Sequence, residues 1–215
     1  MSKRMAWALS SIFLQYPNLE FEKEFNRYKE LVAALPDAYK APLSKFVSEV
    51  DSLTIEALQQ HYVENFDMRR KFSLFLTSWT HGDTRNRGMA MVYFKEKYKR
   101  SNLILSDSEL PDHLSVVLDY SAHHDSVEGE LLLAEHHAPI QLIYASLANI
   151  NSVYAYVLET IIATLPEITA EIEKRARDLA ISGPPKEFVG LDGAVEVALQ
   201  PFSFFDTRKS EGVLL

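Results

Sequence analysis

In Thr54-Ile-Glu-Ala-Leu-Gln-Gln-His-Tyr-Val-Glu-Asn-Phe-Asp67, the apolar residues Ile55, Leu58, Tyr62 and Phe66 recur at intervals of three and four. That spacing lines one face of an α-helix, and Thr54 stands where an N-cap belongs. The pattern repeats upstream. Met5, Leu9, Ile12 and Phe13 form a stripe that stops at Tyr16-Pro17. Phe21, Phe25, Tyr28, Val32 and Leu35 form another, ended by Pro36, and Leu43, Phe46, Val47 and Val50 a third.

Downstream of a break near Asp67, Phe72 to Trp79 reads as a short, very apolar helix. Asp83 or Thr84 caps the next, which carries Met89, Val92, Tyr93 and Phe94. Pro111 suits the first turn of a helix holding Leu114, Val117, Leu118 and Tyr120, with Asp112 placed to interact with its dipole. Val127 to Leu147 reads as one long helix that Pro139 kinks or divides. Val153 to Leu165 and Ile168 to Ile181 complete the set. The expectation is an all-α protein of roughly nine to eleven helices, with short connections and no strand. Residues 1–182 form one globular multi-helix domain. Gly183-Pro-Pro185 opens an irregular C-terminal tail over 183–215, whose Phe202-Ser-Phe-Phe205 and Val213-Leu-Leu215 are apolar enough to lie over a groove.

Composition narrows the function classes. The chain has 215 residues, 47% hydrophobic and 24% charged, as an ordinary globular protein has, with only 7 glycines. A formal charge of −8 argues against general nucleic-acid binding, which needs a basic face to neutralise phosphates. With no cysteine there is no disulfide and no thiolate metal site. Met1 to Leu14 superficially resembles a signal peptide, but Ser10-Ser11 interrupts its short apolar run and Gln15-Tyr16-Pro17 is a poor cleavage site. An amphipathic first helix is the better reading. No apolar run approaches the ~18 residues of a membrane span, so the expected location is the cytoplasm.

No phosphate loop, Rossmann fingerprint, nucleophile elbow or HExxH motif occurs. Neither His123-His124 nor His136-His137 has the spacing that chelates on one helix face, and solvated or capping histidines are expected. In Thr80-His-Gly-Asp-Thr-Arg-Asn-Arg-Gly88, helix punctuation accounts for Gly82 and Asp83. It accounts less well for the crowding of His81, Arg85 and Arg87. Pro111-Asp112-His113 leaves the same surplus: helix-start chemistry explains the aspartate but not the histidine. The aromatic residues of 62–79 are read first as core.

Four of these stretches occur together in an order that resembles a known family. They are His61-Tyr-Val-Glu-Asn-Phe-Asp67, Thr80-His-Gly-Asp-Thr-Arg-Asn-Arg-Gly-Met-Ala90, Ser106-Asp-Ser-Glu-Leu-Pro-Asp-His-Leu114 and Leu131-Leu-Leu-Ala-Glu-His136. Over about residues 5–182 the chain resembles the nitrate reductase molybdenum-cofactor assembly chaperones of the NarJ type, within the TorD/DmsD group. The resemblance implies a TorD-like all-helical cytoplasmic chaperone with no catalytic residues, metal or cofactor of its own. It implies a partner, the catalytic (alpha) subunit of nitrate reductase, held through its N-terminal peptide for molybdenum-cofactor and Fe–S insertion. The chaperone is then neither an integral membrane protein nor a subunit of the final enzyme. On that resemblance the peptide site falls on Tyr62 and Phe66 and on Pro111, Asp112 and His113, with His81, Asp83, Arg85 and Arg87 second.

Two readings from other classes stand beside it. One is a metal-dependent helical hydrolase using His81, Asp83 and His113; the other is a generic helical scaffold whose aromatic stretch is only core.

Overall fold

Each apolar stripe closes into a helix that buries it. The computed structural model describes residues 2–82, 84–106, 109–167 and 169–183, and contains eleven α-helices. They are α1 (Ser2–Phe13), α2 (Leu19–Ala33), α3 (Asp37–Val50), α4 (Ile55–Tyr62), α5 (Leu76–His81), α6 (Arg85–Arg100), α7 (Leu114–His123), α8 (Ser126–Glu135), α9 (His137–Ala148), α10 (Tyr154–Thr164) and α11 (Ala170–Ser182). Among the described residues there is no strand, only one isolated antiparallel bridge between Phe75 and His113. None of these helices is long and apolar enough to cross a membrane. Asp83 and the expected tail beyond Gly183, including Phe202–Phe205 and Val213–Leu215, lie outside the described residues.

The first helix is the centre of the bundle. α1 packs between α7 and α10, and α10 in turn meets α3 and α9. Ala6, Trp7, Leu9, Phe13 and Leu14 are fully or almost fully buried. Polar atoms fix the register of that strut. Trp7 Nε1 donates to Thr164 Oγ1 at 2.8 Å, Ser11 Oγ to the Ser115 carbonyl at 2.8 Å, and Arg4 Nε to the Ala122 carbonyl at 2.6 Å. Buried polar groups need such partners, and these three also fix how far α1 slides along its neighbours. The stretch with a signal-peptide look is therefore core.

Helix starts follow local chemistry where the side chain is right. Asn18, Thr54, Asp125 and Thr169 each accept from a backbone N–H in the first turn of α2, α4, α8 and α11. The stripe through Phe66 runs on past α4 as a π-helical turn, Val63–Asp67, closed by Met68 N to the Val63 carbonyl at 3.0 Å. The extra residue turns Asn65 inward, where Nδ2 donates to the His61 carbonyl at 2.6 Å.

Three expectations need correction. Phe72 to Trp79 is not one helix: Arg70–Phe72 is a 3₁₀ turn, the chain then extends, and α5 starts only at Leu76. The extended part is held by Leu114 N to the Leu74 carbonyl (2.9 Å) and Leu76 N to the Asp112 carbonyl (3.0 Å). Pro111 and Asp112 precede α7 rather than open it, and His113 is its N-cap, Nδ1 accepting from Ser115 N at 3.3 Å. As expected of Pro139, Val127 to Leu147 divides, at His136, because the Pro139 ring clashes with the carbonyl four residues back and supplies no N–H. His136 and His137 are not solvated but buried in that break; His136 Nδ1 lies 2.9 Å from the Leu132 carbonyl and its ring 5.2 Å from that of Phe94.

α7 and α8 approach closely at Gly129, where an added Cβ would stand 2.5 Å from Ser121 Cα. Neither backbone can yield locally, since Ser121 is itself fully buried and bonded through Oγ to the Val117 carbonyl. Gly129→Ala is therefore expected to destabilise the fold by about 1–3 kcal/mol despite alanine's better helix propensity. Denaturant unfolding that finds the variant as stable as the parent would contradict this packing.

Candidate functional site

The bridge between Phe75 and His113 forms one wall of a cavity of about 520 Å³. Gln15 and Tyr16, from the end of α1, face it, Tyr62 contributes from the end of α4, and Leu103–Leu105 come from the segment after α6. Glu109 and Leu110 stand at its edge, while Ser115, Val116 and Asp119 come from the first turns of α7. The volume is within the range of ordinary ligand pockets.

Apolar and polar surface line it in nearly equal measure, and its rim is exposed: Tyr16 is 49%, Ile104 88% and Leu110 41% accessible. Among the described residues, Glu109 and Asp119 are the charged ones that line the cavity, and no Lys or Arg does. Tyr62 is buried by contrast. Its hydroxyl donates to the Leu14 carbonyl at 3.2 Å, and its ring meets Tyr16 edge-on at 5.6 Å. Burial, with the Asp67 charge second, pushes its phenol up to about 12, so it presents a neutral aromatic surface. His113 meets Phe75 edge-on at 5.0 Å, and its Nδ1 lies 2.7 Å from Ser115 Oγ. Burial pushes its imidazole down to about 4 against the opposing charge of Asp112, so the ring is neutral near pH 7. The cavity therefore offers apolar surface and two acidic groups, with no Lys or Arg among its described lining residues.

Of the sequence-predicted residues, Tyr62 and His113 line this cavity and face it from two segments far apart in the chain. Phe66 does not; its ring packs 4.9 Å from Tyr62 and 4.9 Å from Tyr154, which makes it support for the aromatic core. Pro111 is buried outside it, its carbonyl accepting from Tyr98 Oη at 2.6 Å. Asp112 is fully buried, and its Oδ2 accepts from the Thr77 N–H (3.3 Å) and the Thr77 hydroxyl. Arg87 lies behind the wall, its guanidinium 5.8 Å over the Phe75 ring and 3.9 Å from Asp112 Oδ2. His81 Nδ1 lies 2.7 Å from Thr80 Oγ1, and Arg85 is exposed at the start of α6; neither lines the cavity.

Phe75, Tyr16, Leu103–Leu105, Leu110, Glu109 and Asp119 were not singled out from the sequence. Leu103-Ile-Leu105, an apolar run between Arg100 and Ser106 without helical continuation, was the available signal. Phe75 had none, because helical periodicity assigns it to a buried face. Among the described residues, no group of three His, Asp or Glu is placed to hold a metal ion.

Comparison with known proteins adds an independent line. The family model described as "Nitrate reductase delta subunit" matches residues 30–157. The chain is 31% identical over 173 residues to the nitrate reductase molybdenum cofactor assembly chaperone NarJ of Escherichia coli, covering 79% of this chain and 73% of that protein. It is 26% identical over 167 residues to the probable chaperone of the same name in Bacillus subtilis, covering 77% of this chain and 91% of the relative. The nitrate reductase-like protein NarX of Mycobacterium tuberculosis is 32% identical over 160 residues, covering 74% of this chain. The match spans only 24% of NarX, so this chain corresponds to about a quarter of that relative.

The His113 environment sets a pH dependence. The unfolded chain takes a proton at this ring near pH 6.5, whereas the folded chain resists until about 4. Its contribution to stability is thus complete above pH 6.5 and is lost as the pH falls from there toward 4. His113→Asn should flatten the fall in unfolding free energy over that window, as measured by denaturant titration at a series of pH values. Parallel curves for parent and variant would show that the ring is not held neutral.

Proposed function

The chain belongs to the nitrate reductase delta subunit family, and on that premise we propose that it is an assembly chaperone for nitrate reductase and not an enzyme. It acts in the cytoplasm, takes the N-terminal segment of the apo catalytic subunit into the cavity beside Tyr62 and His113, and keeps that subunit competent for insertion of the molybdenum cofactor and iron–sulfur clusters. It leaves before the finished enzyme functions at the membrane. The likeness to NarJ proteins over most of their length carries this reading. The cavity supplies its chemistry. An amphipathic peptide turn can lay apolar side chains against Tyr16, Phe75, Leu105 and Leu110 while a Lys or Arg meets Glu109 or Asp119.

In this role Tyr62 and His113 touch the peptide and Phe66 backs Tyr62. The overall charge of −8 favours encounter with a basic segment. A cavity of this size takes one turn of peptide, and the cost of ordering that peptide offsets much of the apolar gain. Binding of that kind can be released when the client folds.

Calorimetry of the full chain with a synthetic peptide of the client's N-terminal segment tests the proposal. Binding is expected, weakening as salt rises. Glu109→Gln and Asp119→Asn should each cost about 0.3–1 kcal/mol and together remove most of the salt dependence. Absence of binding, or a salt dependence untouched by the double variant, would refute the assignment of this cavity.

A further inference from the structure

We propose that Arg87 and Asp112 are positioning residues, which set the Phe75–His113 wall of the cavity from behind through Thr77 and do not touch the occupant. The inference rests on the reading of this cavity as the peptide site, and it gives the crowded Thr80–Gly88 stretch a task.

The Phe75–His113 bridge has only two backbone hydrogen bonds and no flanking ladder. A pairing that short is marginal by itself. The helix leaving the bridge also needs help: α5 begins at Leu76, and its N-cap residue, Phe75, has no side chain to cap the first N–H groups. Asp112 supplies that cap from 35 residues away. Its carbonyl accepts from Leu76 N at 3.0 Å, and its Oδ2 from Thr77 N at 3.3 Å and from the Thr77 hydroxyl. One residue therefore both continues the bridge and caps the helix beyond it.

Arg87 closes the arrangement. Its Nε donates to Thr77 Oγ1 at 3.3 Å, its Nη2 lies 3.9 Å from Asp112 Oδ2, and its guanidinium lies 5.8 Å over the Phe75 ring. The planar fork thus touches the cap, the carboxyl group and the aromatic wall at once, which a lysine cannot do. Neither Arg87, Thr77 nor Asp112 lines the cavity, whereas Phe75 and His113 do. Among the described residues Asp112 Oδ1 is buried without a hydrogen-bond partner, so the local structure relies on Oδ2 and on the nearby guanidinium to offset its burial.

The test pairs calorimetry, using the synthetic N-terminal client peptide, with NMR contacts between the Phe75 and His113 rings in the unliganded full chain. Arg87→Met is expected to weaken the peptide by about tenfold, the effect of one interaction of about 1.4 kcal/mol, and to disturb the ring contacts. Arg87→Lys should fall between, and the isosteric Asp112→Asn should act in the same direction as Arg87→Met. If Arg87→Met does not fold, these two variants decide. Unchanged affinity and unchanged ring contacts in all variants would overturn the proposal. Lost affinity with the ring contacts intact would overturn it too, by making Arg87 a direct ligand contact. Should the wild-type chain bind no peptide, the functional reading fails alone, and the ring contacts still report whether Arg87 and Asp112 hold the wall.

Discussion

The N–H of Leu76 reaches the carbonyl of Asp112, and the N–H of Leu114 reaches that of Leu74. These two hydrogen bonds tie together segments that the helices around them would otherwise leave apart. Much of the site depends on them. They stop the apolar stretch after Lys71 from closing into a helix until Leu76, bring Phe75 against His113, and start α7 from a histidine cap. The Asp112 carboxyl group is buried at the crossing, where Thr77 and Arg87 are grouped around its Oδ2. A polar group so placed is costly unless its partners are in place, which makes the crossing a structure that forms as a unit.

The chemistry beside the crossing follows from burial. Removing His113 from water keeps its imidazole neutral at ordinary pH, and the phenol of Tyr62, neutral there in any case, is pushed up further by burial. Charge at the cavity is then left to Glu109 and Asp119. Apolar lining residues beside acidic ones discriminate by two means: the former reward bulk, and the latter reward positive charge and reject negative. The cavity is open along Ile104 and Leu110 rather than enclosed.

Much of the helical frame was readable because an amphipathic helix needs only a local period and a cap. α1, α2, α3 and α4 cover most of their stripes, with Thr54 capping α4 and the prolines at 17 and 36 falling between helices. The errors fall where a distant partner outweighed the local pattern. Leu74 and Phe75 have helical spacing but pair with 112–114, and Asp112 looks like a first-turn residue yet caps another helix. His136 and His137 read as polar surface but fill the break that Pro139 imposes between two apolar helices.

Two landmarks of the site, Tyr62 and His113, could be named from the chain because they stand in motifs with a recognisable order. The sequence by itself therefore determined the all-helical class, most helix limits, the absence of thiol chemistry and the family, since these depend on local periodicity, composition and motif order. Only the tertiary structure decided which motif residues face the cavity. Phe75 lines the cavity, Arg87 and Asp112 lie outside its lining, and Glu109 and Asp119 line it as acidic residues. The physical reason is that a side chain's role here depends on what covers it, and for these residues the covering group lies far away in the sequence.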